Sequence, residues 1–179
     1  MKRTAALLAA VATAGALSAT TLAPTPAAAA ACPTGWGSLP EKAAPYGGYL
    51  TDVRAGQQAC YDRLVLDIAG KVEGWDVRYG AVAQDGSGTA VPLRGTDLRI
   101  IVHSAAYDGN GAATYDPAND SEAVDVSGYR TFRQVAWAGS FEGQSTVGLT
   151  ARARLPFRVM VLNGPGSGSR LVVDVAHRW

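Results

Sequence analysis

The sequence predicts an all-β protein, an antiparallel sandwich of two sheets with about 7–9 strands and a disulfide-tethered N-terminal arm. Three observations predict it. Apolar residues recur with period 2 in short runs, the runs favour Val over Leu and Ile, and turn-forming clusters separate them. No segment of ten residues carries a convincing 3.6 period, so helix is limited to one short turn.

The strands follow in order. Leu64, Leu66 and Ile68 alternate with Arg63, Val65 and Asp67; Trp75, Val77 and Tyr79 alternate with Asp76 and Arg78. Leu98, Ile100 and Val102 alternate with Arg99, Ile101 and His103. Further runs cover residues 132–137, 145–152, 157–162 and 170–175. The punctuation between them is DGSG at 85–88, DGNG at 108–111 and GPGSG at 164–168. Residues 32–59 hold Pro33, Pro40, Pro45 and four glycines before residue 50, with no surviving period. They are expected to form an ordered arm ahead of a sandwich over 60–179.

Residues 1–31 stand apart from this pattern. They contain 14 Ala, Lys2 and Arg3 at the front, no acidic residue, a short apolar stretch over 5–19 and a closing Ala run at 27–31. A basic front, a short apolar region and a small-residue end describe a secretory signal peptide. Its removal leaves about 148 residues with 14 basic and 15 acidic side chains, one domain near a charge of −1. No later stretch is apolar enough for a helical membrane span. A near-neutral chain offers no concentrated basic face for nucleic acid. Secretion, with or without attachment to the cell wall, is the expected destination.

Cys32 and Cys60 are the two cysteines of the exported chain, and an even count in an oxidising space favours a disulfide. Cys32 has a rival reading as a lipid-modified residue. Against it stand the three alanines that precede Cys32, the spacer at 20–26, and the unpaired Cys60 it would leave.

An internal echo links two strands, RLVLDI at 63–68 and RLVVDV at 170–175. In each, Arg and Asp four residues apart share a face about 13 Å apart, too far to pair with each other. They are placed to meet charges on neighbouring strands, with a ligand contact as the alternative.

The chain resembles the AMIN-like family of exported actinobacterial proteins. The matching segments are CPTGWGS (32–38), CYDRLVLDIAG (60–70), DGSGTAVPLRG (85–95), AGSFEGQSTVGLTARARLPFRV (138–159) and RLVVDVAHRW (170–179). They cover most of the exported chain in the family's order. A departure falls at Gly148-Leu149-Thr150, read as a turn in which a second glycine is expected at position 150. The resemblance implies a two-sheet β-sandwich related to the AMIN domain, a non-catalytic module that places amidases and secretion pores on the cell wall, in some cases by binding peptidoglycan. Fold carries over along such a likeness more directly than function.

Catalytic chemistry finds little material. His103 and His177 are the only histidines, and no His/Cys/Asp cluster has metal-ligand spacing. A disulfide would remove the thiol nucleophile, and neither a G-x-S-x-G elbow nor a P-loop occurs. His177 is expected to pack or be solvated, and His103 to be an exposed strand residue. No catalytic residue, metal ligand or cofactor is therefore expected. Asp108, Asn110, Asp116, Asn119, Asp120, Glu122 and Asp125 form an acidic loop. Their spacing matches no 12-residue calcium loop, and Asp and Asn are also turn formers, so a solvated loop is expected.

Residues 139–154 are the best binding candidate. Glu142 and Gln144 lie beside Gly139 and Gly143, and Arg152 and Arg154 alternate in the next run. Trp36, Trp137 or Trp75 would supply an aromatic platform for a glycan. The competing reading has Gly139 in a bulge, Gly143 in a hairpin, Glu142 paired with an Arg and the tryptophans in the core. The expected function is a secreted, non-enzymatic envelope module that binds cell-wall glycan or a wall-associated protein. The alternatives are a small secreted hydrolase or hydrolase inhibitor, and a structural sandwich that pairs through an edge strand such as RLVVDV.

Overall fold

Strands with one dry face need a second layer to cover it, and here two sheets supply it for each other. The computed structural model describes Cys32 and residues 35–179; the signal peptide expected at 1–31 lies outside the described residues. Nine strands occur among the described residues: β1 (Glu41–Ala43), β2 (Tyr49–Gln57), β3 (Tyr61–Ala69), β4 (Trp75–Tyr79), β5 (Thr96–Val102), β6 (Phe132–Phe141), β7 (Gln144–Ala151), β8 (Phe157–Asn163) and β9 (Ser169–Ala176). One 3-10 turn, Asp120–Glu122, is the helical element among them.

One sheet has the order β1-β4-β5-β7-β6 and the other β2-β3-β9-β8, and every neighbouring pair is antiparallel. The core lies between the sheets. Leu64, Leu66 and Ile68 of β3 and Leu171, Val173 and Val175 of β9 face Leu98, Ile100 and Val102 of β5 and Val147 and Leu149 of β7. These are the positions that the period-2 alternation selects. All seven sequence-predicted runs are strands.

Two corrections concern strands. The arm over 32–59 contains β1 and β2, and β2 is an edge strand of the four-stranded sheet. Its period is hidden by a register shift between Leu50 and Asp52, which places Leu50 and Val53, three positions apart, both in the core. The segment Gly148-Leu149-Thr150 is not a turn; it lies in the second half of β7. Thr146, Gly148 and Thr150, on the side of β7 away from the core, are also buried or enclosed, because the 80–95 connection crosses them. A Cβ at Gly148 would press on Leu93 and Val82 of that connection.

Cys32 and Cys60 form a disulfide, with S–S 2.05 Å and Cα–Cα 5.3 Å. It joins the arm to the residue before β3. The arm then runs along β8, where the Phe157 amide donates to the Gly37 carbonyl at 2.8 Å.

The RLVLDI and RLVVDV strands are direct neighbours. Because β3 and β9 run antiparallel, Arg63 is opposite Asp174 and Asp67 is opposite Arg170. Asp174 is fully buried and accepts from Arg63 Nε at 2.6 Å and from Arg158 of β8 at 2.9 Å. Asp67 instead accepts from Arg54 of β2, at 2.6 and 3.1 Å. The cross-strand ion pairs expected from the echo are therefore present, though one acid is taken by a third strand.

Candidate functional site

The β6–β7 hairpin closes on a two-residue turn, Glu142-Gly143, between the paired residues Phe141 and Gln144. Both turn residues have positive φ, Glu142 at 49° and Gly143 at 82°. That is the left-handed backbone of a tight hairpin turn, which suits glycine and asparagine. Glu142 is the one described non-glycine residue with positive φ, and it is exposed. Gly139, with φ 95°, lies where the β6–β7 register shifts between Trp137 and Ser140. The bulge and the hairpin expected of these two glycines are both present; the expected Glu142–Arg pair is absent among the described residues.

Aromatic side chains surround this tip. Tyr46 packs close to Gly143, and its ring stacks on His103 at 4.5 Å with the planes 13° apart. The Tyr107 hydroxyl accepts from the Gly143 amide at 3.1 Å. Phe141 lies against Gly86 of the 80–95 connection. Tyr46 and Phe141 are 59% and 50% exposed, which is unusual for rings in a fold with ample core to bury them.

Local structure holds each of these groups. The Gly47 amide donates to the His103 carbonyl at 2.9 Å, and His103 Nδ1 lies 3.1 Å from the Ala44 carbonyl oxygen, so Tyr46 sits on a segment fixed at both sides. Gly74 permits this approach, since a Cβ there would overlap the Pro45 carbonyl and the His103 ring. Gln144 donates to Asp85 Oδ1 at 3.1 Å, and Thr146 donates to the same oxygen at 2.9 Å. Asp85 Oδ2 is buried without a partner among the described residues. Burial pushes the Asp85 carboxyl up from its ordinary value of 3.8, and the bonds from Thr146 and Gln144 offset part of that rise.

The other predicted binding residues lie elsewhere. Arg152 and Arg154 sit in the β7–β8 connection, beyond the far end of β7 from the tip, about 26 Å from Gln144 by strand rise. Arg152 donates to the His177 carbonyl. Arg154 donates to the Ser38 carbonyl at 2.9 Å and lies over the Tyr79 ring at 5.1 Å, so it fastens the arm. Trp137 is half-buried against the core and meets Tyr115 edge-on at 5.1 Å. Trp36 stacks over the Arg158 guanidinium at 4.3 Å on the four-stranded sheet. Only Glu142 and Gln144 of the predicted set come together. Trp179 is exposed, and Trp36, Trp75 and Trp137 are each half-buried; of these, Trp75 lines a depression with His103, the ring on which Tyr46 stacks.

Sequence reasoning missed Tyr46, Tyr107 and Phe141 because it sought tryptophan. The available signal was Pro45-Tyr46-Gly47, an aromatic residue in turn-forming sequence with no strand position to bury it.

His103, expected as an exposed strand residue, lies one residue past β5 and is half-buried against Tyr46; His177 and several of the acids also have structural partners. His177 Nε2 lies 3.0 Å from Oδ1 of the buried Asp62, whose Oδ2 accepts the Thr131 and Phe132 amides at 2.6 and 3.1 Å. In the acidic loop, Asp108 accepts the Asn110 and Ala112 amides, Asn119 caps the 3-10 turn, and Asp125 accepts the Ser127 amide. These backbone bonds lower the Asp108 and Asp125 carboxyls from their ordinary value. Asp108, Asn119 and Asp125 thus act as turn formers.

A family model of the AMIN-like domain matches residues 48–177, from the start of β2 to just past β9. No curated protein matches the chain significantly.

Proposed function

Because the chain belongs to the AMIN-like domain family, related to the AMIN modules associated with cell walls, we propose that it is a secreted, non-catalytic envelope module that binds cell-wall glycan at the β6–β7 tip. The disulfide and the family are consistent with a place outside the cytoplasm. Removal of residues 1–31 on export belongs to the same proposal.

The observation that carries it is Glu142 held at positive φ in an exposed turn, next in sequence to the exposed Phe141 and to Gly143, against which the exposed Tyr46 packs. A charged residue in a conformation that costs it stability, at an exposed tip, points to a task other than folding. Sugar rings present C–H faces that pack on aromatic rings, and their hydroxyls need acceptors. Tyr46 and Phe141 supply the first and the Glu142 carboxylate the second.

Co-sedimentation of the exported chain with purified, protein-free peptidoglycan tests the reading. Tyr46→Ala and Phe141→Ala are each expected to lower the bound fraction about fivefold or more, and Glu142→Gln to lower it less. All three side chains are exposed, so the fold should persist. No sedimentation of the parent chain at any salt concentration would overturn glycan binding. A cleared band in a wall-lysis zymogram would overturn the non-catalytic reading.

A further inference from the structure

The outer face of the four-stranded sheet carries arginines from every strand: Arg54 of β2, Arg63 of β3, Arg158 of β8 and Arg170 of β9. Asp52, Asp67 and Asp174 accompany them on that face. The acids are not spread evenly. A depression of about 240 Å³ is lined by Arg54, Arg63 and Arg170 over a floor of Val65, Val172 and Leu162, and no carboxylate lines it.

Two of these guanidiniums are fixed but not used up. Arg54 spends Nε and Nη2 on Asp67, and Arg63 spends the same two nitrogens on Asp174. Among the described residues, Nη1 of each has no acceptor. Their carboxylates hold them in place as preformed donors, which lowers the ordering cost of binding. Arg170 differs. Its register partner Asp67 is already engaged by Arg54, and its own bond runs from Nη2 to the Asn163 carbonyl at 3.0 Å. Its Nε is buried and meets no acceptor among the described residues. Its Nη1 is neither buried nor bonded among the described residues, so Nη1 is the donor open to a ligand oxygen, while the unpartnered Nε leaves the guanidinium charge incompletely satisfied.

We propose that this depression is a second ligand site, separate from the β6–β7 tip, that binds an oxyanion group carried on a small or linear ligand. Planar guanidiniums in convergent positions match carboxylate and phosphate oxygens, and the aliphatic floor accepts the carbon frame beside them. Carboxylated sugars and phosphodiesters share this chemistry.

The test uses the ¹⁵N-labelled exported chain, titrated at constant ionic strength with D-glucuronate, with glycerol phosphate, and with glucose as the neutral control. The Arg170 Nε–H resonance, with those of Arg54 and Arg63, should shift in a saturable way with one or both anions and not with glucose. The arm that saturates at lower concentration identifies the carboxylate or the phosphate source. Arg170→Gln should weaken the interaction about tenfold, with smaller shifts remaining at Arg54. Arg170→Lys keeps the charge and lacks the planar fork, and it should also weaken binding. Backbone amide spectra of both variants check that the fold is kept. Shifts that never saturate, or that chloride reproduces, would overturn the proposal. Equal affinity for the parent and both variants would also overturn it.

Discussion

Arg63 Nε and Asp174 Oδ1 lie 2.6 Å apart across the β3–β9 ladder, with the Asp174 side chain fully buried and the Arg63 side chain 26% exposed. Asp174 also accepts from Arg158, 38% exposed, so one buried acid orders two arginines on three adjacent strands. The partners raise the Arg63 guanidinium from its ordinary value, the hydrogen bond to Asp174 first. This triad decides how the arginine face is arranged.

Asp174→Asn should destabilise the domain by about 2–3 kcal/mol. A fully buried pair that loses one partner costs roughly 3–5 kcal/mol, and here the abandoned guanidiniums reach water. Arg158→Met should cost under about 1 kcal/mol, since Asp174 keeps Arg63. Urea unfolding midpoints at constant slope measure both.

Breaking the Cys32–Cys60 bond should lower stability by about 3–4 kcal/mol in the chain-entropy model, given a sequence separation of 28. The Cys32→Ser/Cys60→Ser variant, compared with the parent under oxidising conditions, gives the difference. Adding reductant should bring the parent down to the variant and leave the variant unchanged.

Asp85 should make stability depend on pH in a way that Asp85→Asn does not. Its folded-state value is raised above the ordinary 3.8, so the folded chain holds the proton more tightly than the unfolded chain. Stability from this group is present below pH 3.8 and is lost as pH rises through the raised folded-state value. The stability of Asp85→Asn relative to the parent should therefore improve from about pH 3.5 to pH 7. Paired thermal melts across that range check the sign.

Glu142→Asn should raise stability by about 0.5–1 kcal/mol, because Asn-Gly suits the left-handed turn that Glu142 occupies at a cost. Thermal unfolding should show a Tm higher by a few degrees. The same variant should bind peptidoglycan less well, since the carboxylate is lost. Improved stability with undiminished sedimentation would remove Glu142 from the proposed site.

The strand pattern was legible where one face is dry along a whole strand, as in β3, β5 and β9, because period 2 then follows from the pleat. It was not legible in β2, where the register shift after Leu50 moves the next core residue to Val53. It also failed to describe residues 148–150, where the 80–95 connection covers a second face and the glycine serves a close approach. At the candidate site, Glu142 and Gln144 were visible beside the hairpin glycines. Tyr46, from far earlier in the chain, was not visible, because stacking on His103 is a contact that only folding makes.

By itself the sequence determined the β class, the core positions, the disulfide and the likeness of its motifs to one family. These depend on the side chains of neighbouring residues, or on a cysteine count that allows one internal pair. Tertiary structure decided which charges meet and which are left over. RLVLDI and RLVVDV contain matched Arg and Asp residues, yet the antiparallel register and the nearness of Arg54 leave Arg170 without an acid. That outcome depends on which strands are adjacent, and a charge pattern along one strand carries no information about its neighbours.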